Sequence, residues 1–144
     1  AHLRFDIPLL ARRLVEATDW LANEPETRNL NVGYFGASTG GGAALVAAAG
    51  RPSAIGAVVS RGGRPDLAGE ALPLVKAPTL LIVGGRDEPV IELNERAQSQ
   101  LRTESRLEIV PRATHLFEEP GTLERVAGLA RQWFEHHLRS HNPN

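Results

Sequence analysis

The stretch Gly33-Tyr34-Phe35-Gly36-Ala37-Ser38-Thr39-Gly40-Gly41 decides how the chain is read. Leu30 to Phe35 is short and rich in β-formers, which reads as a strand. Gly41 to Gly50 is alanine-rich and reads as a helix whose small side chains permit close packing. Between them, Gly36-Ala37-Ser38-Thr39-Gly40 fits the pattern G-x-S-x-G. Three fixed positions are a weak signal alone, since a glycine-rich strand-to-helix turn that binds a phosphate, or nothing, would share them. The context sharpens the signal, because strand, tight turn and helix are what a nucleophile elbow requires. Gly36 and Gly40 would relieve crowding while Ser38 takes a strained backbone conformation that lifts its hydroxyl above the sheet. The following helix points N–H groups and the positive end of its dipole at the same place, so the N–H of Thr39 can serve one oxyanion contact.

Outward from the elbow, apolar residues Leu3, Ile7, Leu10, Leu14, Ala17 and Leu21 recur at helical spacing, which predicts an amphipathic helix over Leu3 to Ala22. Asn23 to Asn29, with Pro25 inside, ends it in a loop. On the other side, Ala54 to Ser60 reads as a second strand. Arg61 to Lys76 is punctuated by glycine and proline, with at most a short helix over Glu70 to Val75. Thr79 to Val83 is a nearly all-apolar third strand, the mark of a parallel strand buried on both faces. Glu88 to Leu101 reads as a helix with Pro89 in its first turn, Arg106 to Val110 as a fourth strand and Leu123 to Leu138 as a closing helix. This alternation predicts an α/β fold: a three-layer sandwich with a parallel sheet of about four strands and helices on both faces. Without repeats or linkers, residues 1–144 form one domain, and function belongs at the carboxyl ends of its strands.

A serine hydroxyl needs a base. Of five histidines, His2, His136, His137 and His141 lie at the termini or on the closing helix, while His115 falls in the loop Pro111-Arg112-Ala113-Thr114-His115-Leu116-Phe117, just past the fourth strand. It is the candidate base, the bland alternative being a solvent-exposed loop histidine. The carboxylate that would hold its tautomer is sought in Gly84-Gly85-Arg86-Asp87-Glu88-Pro89, where Asp87 directly follows the third strand. Asp66, after the second strand, is the competing candidate. Asp6 and Asp19 read as solvated residues of the first helix, and Glu88 as the cap of the next one. The order Ser38, Asp87, His115 is that of α/β-hydrolases, unlike the chymotrypsin or subtilisin orders.

On these segments, together with Pro78-Thr79-Leu80-Leu81-Ile82-Val83, the chain resembles the C-terminal catalytic part of an α/β-hydrolase of the dienelactone hydrolase-like group, which includes hydrolase halves fused to phosphoribosyltransferases. The resemblance implies Ser38 as nucleophile, Asp87 as triad acid, His115 as base and Thr39 as oxyanion N–H. Dienelactone hydrolases carry cysteine as nucleophile, so Ser38 points toward simple ester hydrolysis. The resemblance also implies that the first strands and the loop bearing the second oxyanion donor are absent, a partial α/β-hydrolase fold truncated at its N-terminal side. A chain of 144 residues is indeed small against the roughly 200 or more expected of a complete one.

Composition narrows the rest. Sixteen basic and seventeen acidic side chains are interspersed, which gives no footprint for nucleic acid or an anionic membrane. The absence of cysteine excludes disulfides and thiolate chemistry, and no apolar run approaches the roughly 20 residues of a membrane helix, so a cytoplasmic setting is expected. No ligand cluster or dinucleotide fingerprint implies a metal or organic cofactor. The reading is therefore a serine hydrolase that cleaves a small-molecule carboxylic ester through an acyl-serine intermediate, the alternative being a catalytically silent hydrolase-like module or fragment. Without the front strands, Leu30 to Phe35 becomes a sheet edge, and a homodimer through that edge is expected.

Overall fold

The computed structural model describes residues 6–139. Its elements in order are helix α1 (Ile7–Asn23), strand β1 (Val32–Ala37), helix α2 (Thr39–Gly50), strand β2 (Ile55–Arg61), a 3₁₀ segment (Pro65–Leu74), strand β3 (Thr79–Gly84), helix α3 (Glu88–Gln100), strand β4 (Ser105–Val110) and helix α4 (Thr122–His137). The expected start of the first helix at Leu3, and the histidines at positions 2 and 141, lie outside the described residues.

The four strands form one parallel sheet in the order β1-β2-β3-β4. A sheet that advances in one direction through right-handed crossovers places every connection on the same face. Accordingly Ala44, Leu45, Ala47 and Ala48 of α2 share one apolar cluster with Ala11 of α1, Leu72 of the 3₁₀ segment and Ala97 of α3. The opposite face is covered by α4, whose Val126, Leu129, Ala130 and Trp133 pack on Ala57, Val59, Leu80 and Ile82. The expected three-layer sandwich is present. All six residues of β3 are buried, as its nearly all-apolar run requires of an inner strand. No described helix is long and apolar enough to cross a membrane.

Boundaries shift where local chemistry competes with propensity. The first strand covers Val32–Ala37 instead of Leu30 to Phe35: the N–H of Leu30 closes a turn on the Thr27 carbonyl, while Gly36 and Ala37 pair with Ser60 and Arg61. The second strand gains Arg61 and loses Ala54, whose N–H turns back to the Arg51 carbonyl. The short helix expected over Glu70 to Val75 is a 3₁₀ segment that begins at Pro65 and is broken at Gly69, where φ is 52°. Asp6 is not a solvated helix residue but precedes α1 and caps it, accepting from the Leu9 N–H at 3.0 Å. Asp19 is likewise engaged, accepting from Arg51 Nε at 2.9 Å and Nη2 at 2.8 Å.

Candidate active site

The carboxyl ends of β1, β3 and β4 each carry one of the polar residues singled out above. Ser38 directly follows β1 with φ 51° and ψ −125°, a combination strained for any residue with a side chain. Its backbone is held on three sides: its N–H donates to the Arg61 carbonyl at 3.3 Å, and its own carbonyl accepts from the N–H groups of Gly41 and Arg64, both at 3.0 Å. The turn is so tight that a Cβ at Gly36 would lie 2.3 Å from the Gly40 carbonyl oxygen. A Cβ at Gly40 would meet nothing within 4 Å, so of the two glycines expected to relieve crowding only Gly36 does so among the described residues.

The three side chains meet. Ser38 Oγ lies 3.1 Å from His115 Nε2, and His115 Nδ1 lies 2.8 Å from Asp87 Oδ2. Because an ionised carboxylate only accepts, Nδ1 carries the proton, which leaves Nε2 of the neutral ring to accept from the Ser38 hydroxyl. The Asp87 side chain is 14% exposed and the His115 side chain 40%, so the carboxylate is screened while the imidazole is open to water or a substrate. Gly62, with φ 52°, backs the ring, and a Cβ there would stand 3.4 Å from His115 Cε1 and Nδ1. Asp66, the competing acid, is instead held by Arg64 through Nε at 3.0 Å and Nη2 at 2.8 Å.

One assignment changes. Glu88 does not cap α3: the cap position belongs to Asp87, whose carboxylate makes no capping bond and turns to His115. Thr39 is the first residue of α2, and the first N–H groups of a helix have no partner within it. Ser38 occupies the cap position of α2 but makes no side-chain capping bond, so its hydroxyl does not take those donors. Beside the elbow, an apolar hollow opens between Leu10, Leu14, Phe35, Gly36, Gly40 and Ala43.

Glu119 went unnoticed in the sequence. Its carboxylate accepts from the Thr114 N–H at 2.9 Å and from Thr114 Oγ1 at 2.7 Å, and those bonds hold its pKa below the usual carboxylate value. Only the spacing of Thr114 and Glu119 around His115 hints at this contact, and spacing does not reveal how a loop folds. Among the described residues no group of three or more histidine or acidic side chains could hold a metal ion.

A parallel sheet with helices on both faces, a strained serine after β1 and an aspartate and histidine after later strands define the α/β-hydrolase class. The sequence profile of the Dienelactone hydrolase family matches residues 8–137, and the chain belongs to that family. A dienelactone hydrolase from Anabaena variabilis is 72% identical with a TM-score of 0.94, the match covering 96% of this chain and 64% of that one. Est1E from Butyrivibrio proteoclasticus is 15% identical with a TM-score of 0.74 over 88% of this chain and 68% of its own, a likeness of fold alone. The Mycobacterium tuberculosis protein named "Putative phosphoribosyl transferase Rv0571c" is 64% identical over 140 residues, and its counterpart in strain CDC 1551 matches equally. That match takes in 97% of the chain but 32% of the relative, so the chain spans about a third of the length of those curated relatives.

Proposed function

We propose that the chain is a serine hydrolase that cleaves carboxylic esters of small molecules. The observation that carries this reading is the unbroken chain from Ser38 Oγ through His115 to Asp87, at 3.1 and 2.8 Å, on an elbow whose serine is backbone-strained. In the reaction, His115 Nε2 takes the hydroxyl proton as Ser38 Oγ bonds to the ester carbonyl carbon. The resulting oxyanion accepts from the Thr39 N–H at the start of α2. Collapse breaks the carbon–oxygen bond to the alcohol, which leaves with the proton held by His115, and the acyl group stays on Ser38. Water then gives a proton to His115 and its oxygen to the acyl carbon, and as the bond from that carbon to Ser38 Oγ breaks, His115 returns the proton to Ser38 Oγ and the acid is released. Asp87 keeps the imidazole in the required tautomer throughout. Gly36, where a side chain would strike the Gly40 carbonyl, lets the elbow close.

The transferase name of the mycobacterial relatives belongs to proteins about three times as long, and we assign phosphoribosyl transfer to the part outside the matched stretch. We extend the proposal to the cytoplasm, where a cysteine-free chain forgoes nothing by lacking disulfides. A second reading, a silent hydrolase-like module, draws support from the elbow, which offers Thr39 as one oxyanion donor. Loss of one donor costs about 10² to 10³ in rate in a serine hydrolase.

A fluorophosphonate probe and a short-chain p-nitrophenyl ester separate the two readings. Covalent labelling of the wild type and ester turnover, both lost in Ser38→Ala with the fold retained, are expected. An unlabelled, inactive wild type under conditions that label a control esterase would favour the silent module.

A further inference from the structure

The imidazole of His115 is set by a loop, not by a helix or strand, and a loop histidine holds a fixed direction only if its backbone is held. The residues between β4 and α4 pass through two left-handed positions, Arg112 at φ 67° and Phe117 at φ 56°. Such positions cost free energy in a side-chain-bearing residue and persist only where surrounding contacts over-determine them. Several do so here. Phe117 is 1% exposed and sinks into the cluster under α4, with the Arg61 guanidinium 5.5 Å from its ring centroid. Thr122 Oγ1, in the first turn of α4, donates to the carbonyls of both Phe117 and Glu119. The Thr114 carbonyl accepts from the Phe117 N–H at 3.1 Å.

These contacts fix the loop beyond His115. Before it, the Ala113 carbonyl accepts from the Arg86 N–H, and Thr114 is held through both its N–H and its hydroxyl by the two oxygens of Glu119. The carboxylate thus closes a ring that contains His115, from Thr114 around to position 119. Charged bonds of this kind are shorter and stronger than neutral ones, and the two-point grip fixes both torsion and position of the residue preceding the imidazole.

We propose that Glu119 is a positioning residue of the reaction, the clamp that holds His115 Nε2 on Ser38 and Nδ1 on Asp87. The inference rests on the serine hydrolase reading above and goes beyond it, because Glu119 touches none of the three side chains of that chain. The lowered pKa agrees with a clamp that works as a carboxylate: its contribution is present above the ordinary value of 4.5 and is lost as pH falls through the lower value of the folded state. Arg86, across the gap on the loop that carries Asp87, is the cation that adds to this lowering.

The test compares Glu119→Gln, Glu119→Asp and Thr114→Val with Glu118→Gln, a neighbouring exposed glutamate, as control. Glu119→Gln retains one acceptor oxygen but loses the charge and the second acceptor. It is expected to lower kcat about 10- to 100-fold with KM within about twofold, as small misplacements of a reacting group do. Thr114→Val, which keeps the backbone N–H, should lose less, and Glu118→Gln nothing. A second readout does not need turnover. The low-field proton resonance of the His115 Nδ1–H···Asp87 bond should be sharp in the wild type and in Glu118→Gln, and broadened or absent in Glu119→Gln. Equal kcat, or an undisturbed Nδ1–H resonance in folded Glu119→Gln, overturns the clamp. Should the wild type fail to hydrolyse the ester, the functional reading falls while the resonance still decides the clamp, and Glu119→Asp serves both measurements if Glu119→Gln does not fold.

Discussion

Ser38 and Asp87 stand at the same kind of place, the residue immediately before the first turn of a helix. Serine and aspartate are favoured there because their oxygens satisfy the helix's first N–H groups, a bond whose removal costs about 1 kcal/mol. Neither makes it, and both side chains turn to His115. Two helices thus forgo side-chain capping, and the hydroxyl of Ser38 leaves the first N–H groups of α2 untaken. Asp87 retains one advantage of its position, since a negative charge at the start of α3 is stabilised by the helix dipole. At this scale the distinction between the two candidate acids becomes testable. Asp87→Asn should lower ester turnover by about 10⁴, less than Ser38→Ala or His115→Ala, because the carboxylate orients the imidazole and does not itself touch the reacting atoms. Asp66→Asn, which disturbs only a partly exposed pair with Arg64, should stay within about threefold. Steady-state kinetics on the two variants decide, and a larger loss in Asp66→Asn would overturn the assignment of the acid. Ser38, Asp87 and His115 were legible from sequence because Ser38 sits in a G-x-S-x-G turn between a strand and a helix, and Asp87 and His115 follow later strands in the order of an α/β-hydrolase. Glu119 was not, because its partner Thr114 is brought to it by the left-handed turn at Phe117, which no side-chain pattern encodes.

The strands and helices follow from periodicity and burial, and the four expected strands and four main helices are present within the described residues, with the start of the first helix lying outside them. What the pattern does not reveal is where a strand yields to a turn. Gly36 and Ala37 have little β-propensity, yet they extend β1 because Ser60 and Arg61 lie beside them in register. The same extension brings Gly36 against Gly40. Gly36→Ala should therefore force the elbow apart, at a cost of about 1–3 kcal/mol for overpacking, since the obstruction at 2.3 Å is backbone and cannot rotate away. Gly40→Ala lies in the first turn of α2 with open space around the added methyl, and alanine in a helix is favoured over glycine by about 0.5–1 kcal/mol. Urea denaturation of the two variants should thus move in opposite directions. Equal destabilisation would mean that the hollow beside Gly40 is filled in solution.

The whole molecule shares one asymmetry with that hollow. At one edge of the sheet, the outer side of β1 pairs with no strand among the described residues. Nearby, Phe35 is 51% exposed and Leu10, Leu14 and Ala43 line the open hollow. An edge strand beside apolar surface is a template for another strand. In the longer relatives a further part of the same polypeptide is available to cover it, since the match takes in 64% of the Anabaena variabilis protein. For the 144-residue chain by itself, we propose that the cover is a second copy, with two β1 strands, Val32–Ala37, paired antiparallel about a two-fold axis. Four strands from each copy would then make one sheet of about eight, and the Phe35 side chains would lie near the axis. Light scattering after size exclusion should give twice 15.6 kDa at micromolar concentration. Phe35→Lys, a charge of the kind that guards natural sheet edges, should return the chain to 15.6 kDa without loss of helix signal. A wild-type chain that remains a stable monomer at that concentration excludes the dimer, and a dimer indifferent to Phe35→Lys places its interface elsewhere than β1.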